Sequence, residues 1–234
     1  MGVEAIFVDD DGVISDNERR PTEWRRVLGS FLADRLGGVP ENWAVANKEV
    51  VQPLWDEMFS APLGGRRFLE VHEPYLVRWV GAMCEAAGVR AHPDAEALAL
   101  GWEARRVVTS SISVSFPFVA EAVGTLAELG IPLHTASGEC SWDLEGYLQS
   151  AGVWRHFHLF FGIDLVNELK LVGTRYNEEI FRIAGVEPAR ALVVDDSPIA
   201  LDLAAEARAA TILVGPEHDG LPGALDRVLQ AIGG

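Results

Sequence analysis

The chain has 234 residues, of which 49% are hydrophobic, and it carries a formal net charge of −16. That length allows one large domain or two modest ones, and the apolar content excludes a disordered chain. So large an acidic excess argues against nucleic acid as a partner, because phosphate backbones are bound by surplus Lys and Arg.

Apolar runs are broken by charges or Gly within about ten residues, far short of the roughly 20 needed to cross a bilayer, so no membrane partner is expected. Met1 runs directly into Gly-Val-Glu-Ala-Ile-Phe-Val, with no basic stretch or cleavage signature, which makes a cytoplasmic protein the expectation. Cys84 and Cys140 are too few for a disulfide framework or a zinc site. Lysine occurs only at Lys48 and Lys170.

In chain order, residues 4–8 form a short apolar run ending in three aspartates and Gly12, the pattern of a buried parallel strand. From about Ser15 to Ser113 the pattern is helical throughout: Pro21–Leu36, Glu41–Met58, Glu73–Ala87 and Pro93–Val108. Pro21, Pro74 and Pro93 stand where a proline in the first helical turn is tolerated. Trp24, Trp43, Trp55, Trp79 and Trp102 suit the core of a helical bundle. Helices then alternate with strands: Pro117–Leu129 before Ile131–Thr135, Trp142–Ala151 before His158–Phe161, Tyr176–Ala184 before Ala191–Val194, and Pro198–Ala209 before Thr211–Val214. Such alternation predicts an α/β fold, a doubly wound, mostly parallel Rossmann-like sheet. The helical block would be an inserted cap: residues 1–15 and 114–234 form the core, and residues 16–113 the cap.

Chemistry concentrates at strand ends. In Phe7-Val8-Asp9-Asp10-Asp11-Gly12, an extended backbone would put Asp9 and Asp11 on one face and Asp10 on the other. Two carboxylates this close persist only beside a cation or with one protonated, which suits a nucleophile and a proton shuttle; an acidic turn capping a strand is the plain alternative. Asp195-Asp196-Ser197-Pro198 ends another strand and fits a hard-cation site shared with Asp9, although one aspartate there could be a helix N-cap. Thr135-Ala136-Ser137-Gly138 could offer hydroxyl and backbone N–H donors to phosphate oxygens. Gly64-Gly-Arg66-Arg67 could bring a guanidinium to an anionic substrate, or be two solvated arginines at a helix start.

Asp9-x-Asp11-Gly-Val, Thr135 after an apolar strand, Lys170 and Asp195-Asp196 resemble, in order, the four motifs of the haloacid dehalogenase-like superfamily. The helical insertion resembles that family's smaller helical cap, and Ser115-Phe-Pro-Phe118 looks like its return from cap to core, in the phosphoglycolate phosphatase and β-phosphoglucomutase-like branch. The resemblance covers essentially the whole chain. It implies a nucleophile and Mg²⁺ ligand at Asp9, and a general acid/base at Asp11 whose carbonyl also reaches the metal. Thr135 would bind the phosphoryl group, Lys170 would neutralise charge, and Asp195 and Asp196 would complete the metal site. The implied activity is hydrolysis of a small phosphorylated metabolite through an aspartyl-phosphate, by a monomer or homodimer. A phosphomutase, a metal-independent 2-haloacid dehalogenase and a non-catalytic binding module are the alternatives. Two departures stand out: Lys170 is followed by Leu-Val-Gly rather than a proline turn, leaving room for Arg175 to share its role. Asp10 fills a commonly apolar position and is read as a helix-terminus or surface contact.

Overall fold

The run after Glu4 forms β1 (Ala5–Val8), and all four of its residues are buried, as a strand covered on both faces requires. Four helices follow: α1 (Arg20–Leu36), α2 (Pro40–Met58), α3 (Phe68–Ala86) and α4 (Asp94–Ser111). Then come α5 (Val119–Glu128), β2 (Leu133–Thr135), α6 (Ser141–Ser150), β3 (Phe157–Leu159), α7 (Ile163–Val166) and α8 (Arg175–Ala184). The chain ends with β4 (Ala191–Asp195), α9 (Pro198–Glu206), β5 (Ala210–Leu213) and α10 (Leu221–Gly233). This computed structural model describes residues 2–58, 63, 65–215 and 219–233. They fall into two compact units, Met1–Glu18 with Ser113–Gly234, and Arg19–Ile112.

In the first unit the strands form one sheet in the order β3-β2-β1-β4-β5, and every pairing is parallel. Side-chain alternation along β1 divides its core in two. Ile6 and Val8 join Leu133, Leu192 and Val194 beneath α5 and α10. Ala5 and Phe7 join Ala191 and Val193 beneath α8 and α9. Both faces are therefore covered, and the sheet is doubly wound. The register pairs Val8 with Thr135 on one side and with Val194 on the other. Asp9, Ala136 and Asp195 thus leave three neighbouring strands at the same end. β5 departs from the buried strand that the sequence suggests: it is the sheet edge, and none of its residues is fully buried.

The chain leaves and re-enters this unit side by side. Asp16 N–H donates to Val114 O (2.8 Å) and Phe116 N–H to Ile14 O (3.0 Å), around an antiparallel bridge between Ser15 and Ser115.

The second unit is all helical. Trp43 and Trp79 are fully buried in it, and their indole N–H groups donate to Gly37 O (2.9 Å) and Asn47 Oδ1 (2.8 Å). Pro74 is not in a first helical turn. It lies inside α3, which starts a turn and a half earlier because Glu70 reaches back to Arg67 N–H (3.2 Å). Pro93 is the N-cap of α4 rather than its first residue. Of the glycine-rich loop before α3, Ala61, Pro62 and Gly64 lie outside the described residues. Among the described residues no helix is long and apolar enough to cross a membrane.

His134 of β2 is buried and stacks on Phe7, with ring centroids 5.2 Å apart, and its Nδ1 has no hydrogen-bond partner. Burial first, and His158 second, push its pKa down to about 4. The unfolded chain therefore takes up a proton near pH 6.5 that the folded chain refuses until about 4, so stability falls as pH drops through that window. Relative to His134→Phe, the wild type should lose on the order of 2–3 kcal/mol between those limits. Urea unfolding of both proteins at a series of pH values checks this; parallel curves would refute it.

Candidate active site

β4 ends on Asp195, and β1 is extended by one ladder bond, from Asp9 N–H to Val194 O (2.9 Å). These are the two central strands on either side of the point where connections change direction, where open α/β sheets bind ligands. One carboxylate oxygen from each of Asp9, Asp195 and Asp196 falls within 4.8 Å of the others. Asp9 and Asp195 are buried, and Asp196 is partly so. Neither aspartate of the second pair is a helix N-cap. Ser197 takes that role, its Oγ accepting from Ala200 N–H (3.3 Å), so both carboxylates stay at the strand end. Gly12 makes room for one of them: its φ is +69°, and a Cβ there would lie 1.9 Å from Asp196 Oδ2. Only glycine fits that turn and that approach.

The strand ends at Val8, so Asp11 lies in the turn that follows it. Asp10 O accepts from the N–H groups of Val13 (3.3 Å), Ile14 (2.9 Å) and Ser15 (2.8 Å), which folds the chain back at once. Asp11 sits half-buried in that turn, and its carboxylate is not part of the three-aspartate cluster. Asp10 is not a surface or helix-terminus residue: it is fully buried, and its Oδ1 accepts from Ser15 Oγ (2.9 Å). It organises the turn that presents its two neighbours.

Lys170 binds the cluster together. Its Nζ lies 2.8 Å from Asp9 Oδ2 and 2.7 Å from Asp195 Oδ2. Arg175 does not share this position; it is exposed and paired with Glu168 at 3.7 Å. Three carboxylates thus face one ammonium. Burial, and then the charge of Asp9, push the Asp195 pKa up to about 7, and the same two causes raise that of Asp196. The residues fit a hard divalent cation: oxygen donors only, convergent, and with negative charge left over.

Thr135, Ala136 and Ser137 are all buried. Their backbone is less available than the sequence suggests. Ala136 N–H donates to Val8 O (2.9 Å) and Ser137 N–H to Phe161 O (3.1 Å), so the hydroxyls of Thr135 and Ser137 are the donors this loop can redirect. The start of α6 is occupied as well, since Asp164 accepts from Ser141 N–H (2.6 Å) and from Ser141 Oγ (2.5 Å). Tyr176 escaped notice in the sequence as anything but a helix residue. Its hydroxyl donates to Ser137 O and Phe161 O, each at 3.0 Å. The one clue was a hydroxyl on the stripe of α8 that also carries Ile180 and Phe181.

Arg66 and Arg67 belong to the helical unit. Both are exposed; Arg66 Nε donates to Leu63 O (3.2 Å), and Arg67 N–H is the group capped by Glu70.

No family model matches the sequence, and no curated protein matches it. Solved structures do. An assigned HAD-hydrolase, YfnB from Bacillus subtilis in a magnesium-bound form, is 18% identical, with 93% of this chain and 89% of that one aligned at a TM-score of 0.63. A 2-haloacid dehalogenase from Pseudomonas syringae pv. Tomato DC3000 is 19% identical over 97% and 98% of the two chains, TM-score 0.62. CbbY from Rhodobacter sphaeroides, in complex with xylulose-(1,5)bisphosphate, is 18% identical over 91% and 86%, TM-score 0.55. The fold is the haloacid dehalogenase-like one. Within that fold the three aspartates and Lys170 occupy the carboxyl ends of β1 and β4 and the segment before α8.

Replacing Lys170 by Met would leave the buried carboxylates without their counter-charge. Such losses cost about 3–5 kcal/mol. Because the Asp195 pKa is raised, the folded protein holds a proton that the unfolded chain releases near 3.8. Stability from this group is therefore lost as pH rises towards about 7. The defect of Lys170→Met should accordingly shrink in acid and grow towards neutrality, as thermal unfolding across pH would show.

Proposed function

We propose that the chain is a Mg²⁺-dependent phosphatase of the haloacid dehalogenase-like superfamily, acting on a small phosphorylated metabolite through an aspartyl-phosphate on Asp9. The observation that carries this reading is the convergence of Asp9, Asp195 and Asp196 on a single lysine. Asp9, Asp195 and Asp196, with the Asp11 carbonyl, would hold the cation, which would supply charge neutralisation for the phosphoryl oxygens. Asp9 is oriented for attack by two contacts, Asp10 N–H on Oδ1 (2.8 Å) and Lys170 on Oδ2 (2.8 Å). Its carboxylate attacks phosphorus, the ester P–O bond breaks, and Asp11 gives a proton to the leaving alkoxide. Asp11 then takes a proton from the water that attacks the acyl phosphate, releasing phosphate and regenerating Asp9. Thr135 and Ser137 hydroxyls hold the phosphoryl oxygens, Lys170 balances their charge, and Arg66 of the helical unit is the side chain proposed to read the remainder of the substrate.

Structural neighbours include a 2-haloacid dehalogenase, which makes attack of Asp9 on carbon the rival chemistry. Halide departs without a proton and without a cation, so three converging carboxylates would only repel one another. The chemistry the site is built for therefore favours phosphoryl transfer.

Two sets of experiments, on the metal and on the two aspartates, test the proposal. Mg²⁺ should raise the thermal midpoint, by the equivalent of about 2.7 kcal/mol at a hundredfold excess over its dissociation constant, and chelation should abolish turnover of phosphate esters. Turnover of a 2-haloacid after exhaustive chelation would replace phosphatase with dehalogenase. Asp9→Asn should be inactive on every ester. Asp11→Asn should lose about 10²–10⁴-fold on alkyl esters, and much less in the phosphorylation step with an aryl ester, whose leaving group needs no proton. Acid quench and mass spectrometry of the Asp9 peptide would then find trapped phosphate. Wild-type alkyl turnover in Asp11→Asn, with nothing trapped, would overturn the assignment.

A further inference from the structure

Three groups that can donate lie within reach of Phe161 O, just beyond β3: Ser137 N–H at 3.1 Å, Thr135 Oγ1 at 3.3 Å and Tyr176 OH at 3.0 Å, whose single proton is shared with Ser137 O. A carbonyl has two lone pairs, so the third and longest of these bonds is the one easily given up. That third donor is Thr135, the residue proposed above to hold the phosphoryl group. Tyr176 also reaches Ser137 O at 3.0 Å, so a single phenol ties the loop after β2 to the chain after β3. Tyr176 itself is 1% exposed and belongs to the apolar cluster of Phe7, Ile180 and Phe181, which fixes its ring. Burial, followed by the charges of Asp9 and Asp195, pushes its pKa well above 10, so the hydroxyl remains a donor.

We infer that Tyr176 is a positioning residue: by competing for the Phe161 carbonyl it weakens the hold of that carbonyl on the Thr135 hydroxyl proton, which can then be given to an anionic oxygen of the substrate. No bond to the substrate is made by Tyr176. Its effect on anion binding passes through Thr135. The inference deepens the phosphatase reading and rests on it for the nature of the anion, but the tie between the two loops does not depend on any ligand.

Tyr176→Phe removes the hydroxyl and keeps the ring. Without that donor, Thr135 Oγ1 should settle on Phe161 O, and substrate must compete for its proton. Orthophosphate with Mg²⁺, titrated calorimetrically, should bind about tenfold more weakly to Tyr176→Phe, the loss expected for one hydrogen bond to a charged group. KM for an aryl phosphate should rise by a similar factor while kcat changes less than about threefold, since Asp9, Asp11 and Lys170 are untouched. Thr135→Val should weaken orthophosphate binding too, and the double variant should bind no worse than Thr135→Val alone, because both changes remove the same donor. Phe181→Leu, which loosens the same apolar cluster without touching either carbonyl, should leave orthophosphate binding within about twofold. Additive losses in the double variant, or wild-type binding by Tyr176→Phe, would overturn the inference. Amide exchange at Ser137 separates it from the functional reading. Exchange should quicken in Tyr176→Phe even if the protein hydrolyses no phosphate ester, and unchanged exchange would refute the tie itself.

Discussion

Three buried or half-buried carboxylates around one ammonium is the constraint on which the rest of the first unit depends. Like charges at the ends of β1 and β4 repel in a poorly hydrated site, and of the three carboxylates Lys170 is paired with those of Asp9 and Asp195. The arrangement persists because rigid elements hold it. Parallel pairing of β1 with β4 sets Asp9 beside Asp195, and apolar cores on both faces keep that register from slipping. Stability from the core is thus spent on electrostatic tension at its rim, the ordinary relation between a scaffold and its reactive site.

The turn after β1 shows how local backbone geometry sets the chemistry. Three N–H groups converge on Asp10 O, and Ser15 Oγ closes on its carboxylate. That separates Asp11 from the cluster formed by Asp9, Asp195 and Asp196. In the proposed mechanism the separation is useful, since a proton shuttle must not be neutralised by the same cation and lysine that hold the nucleophile ionised.

Much of this was legible in the sequence because burial leaves a simple trace. Five short apolar runs between helical stretches gave the sheet, and strand-end aspartates gave the cluster. Prolines misled at α3, where Pro74 reads as a helix start while Glu70 caps an earlier one. Short α7 carried too few distinguishing signals to be read in advance. The convergence on Phe161 O was beyond reach for a different reason: backbone carbonyls look alike in a sequence, and only the tertiary fold decides which one collects several donors.

The paired exit and return strands at Ile14–Asp16 and Val114–Phe116 also bear on how such a chain could have been assembled. The first unit closes its own boundary there, with backbone bonds that need nothing from the second unit, Arg19–Ile112. An excursion anchored at a common stem costs little more chain entropy when it is long than when it is short, about 0.6 kcal/mol for each doubling. A stem of this kind is an insertion port: the helical segment can be lengthened, exchanged or replaced over evolutionary time while the sheet register, and with it the spacing of Asp9 and Asp195, stays fixed.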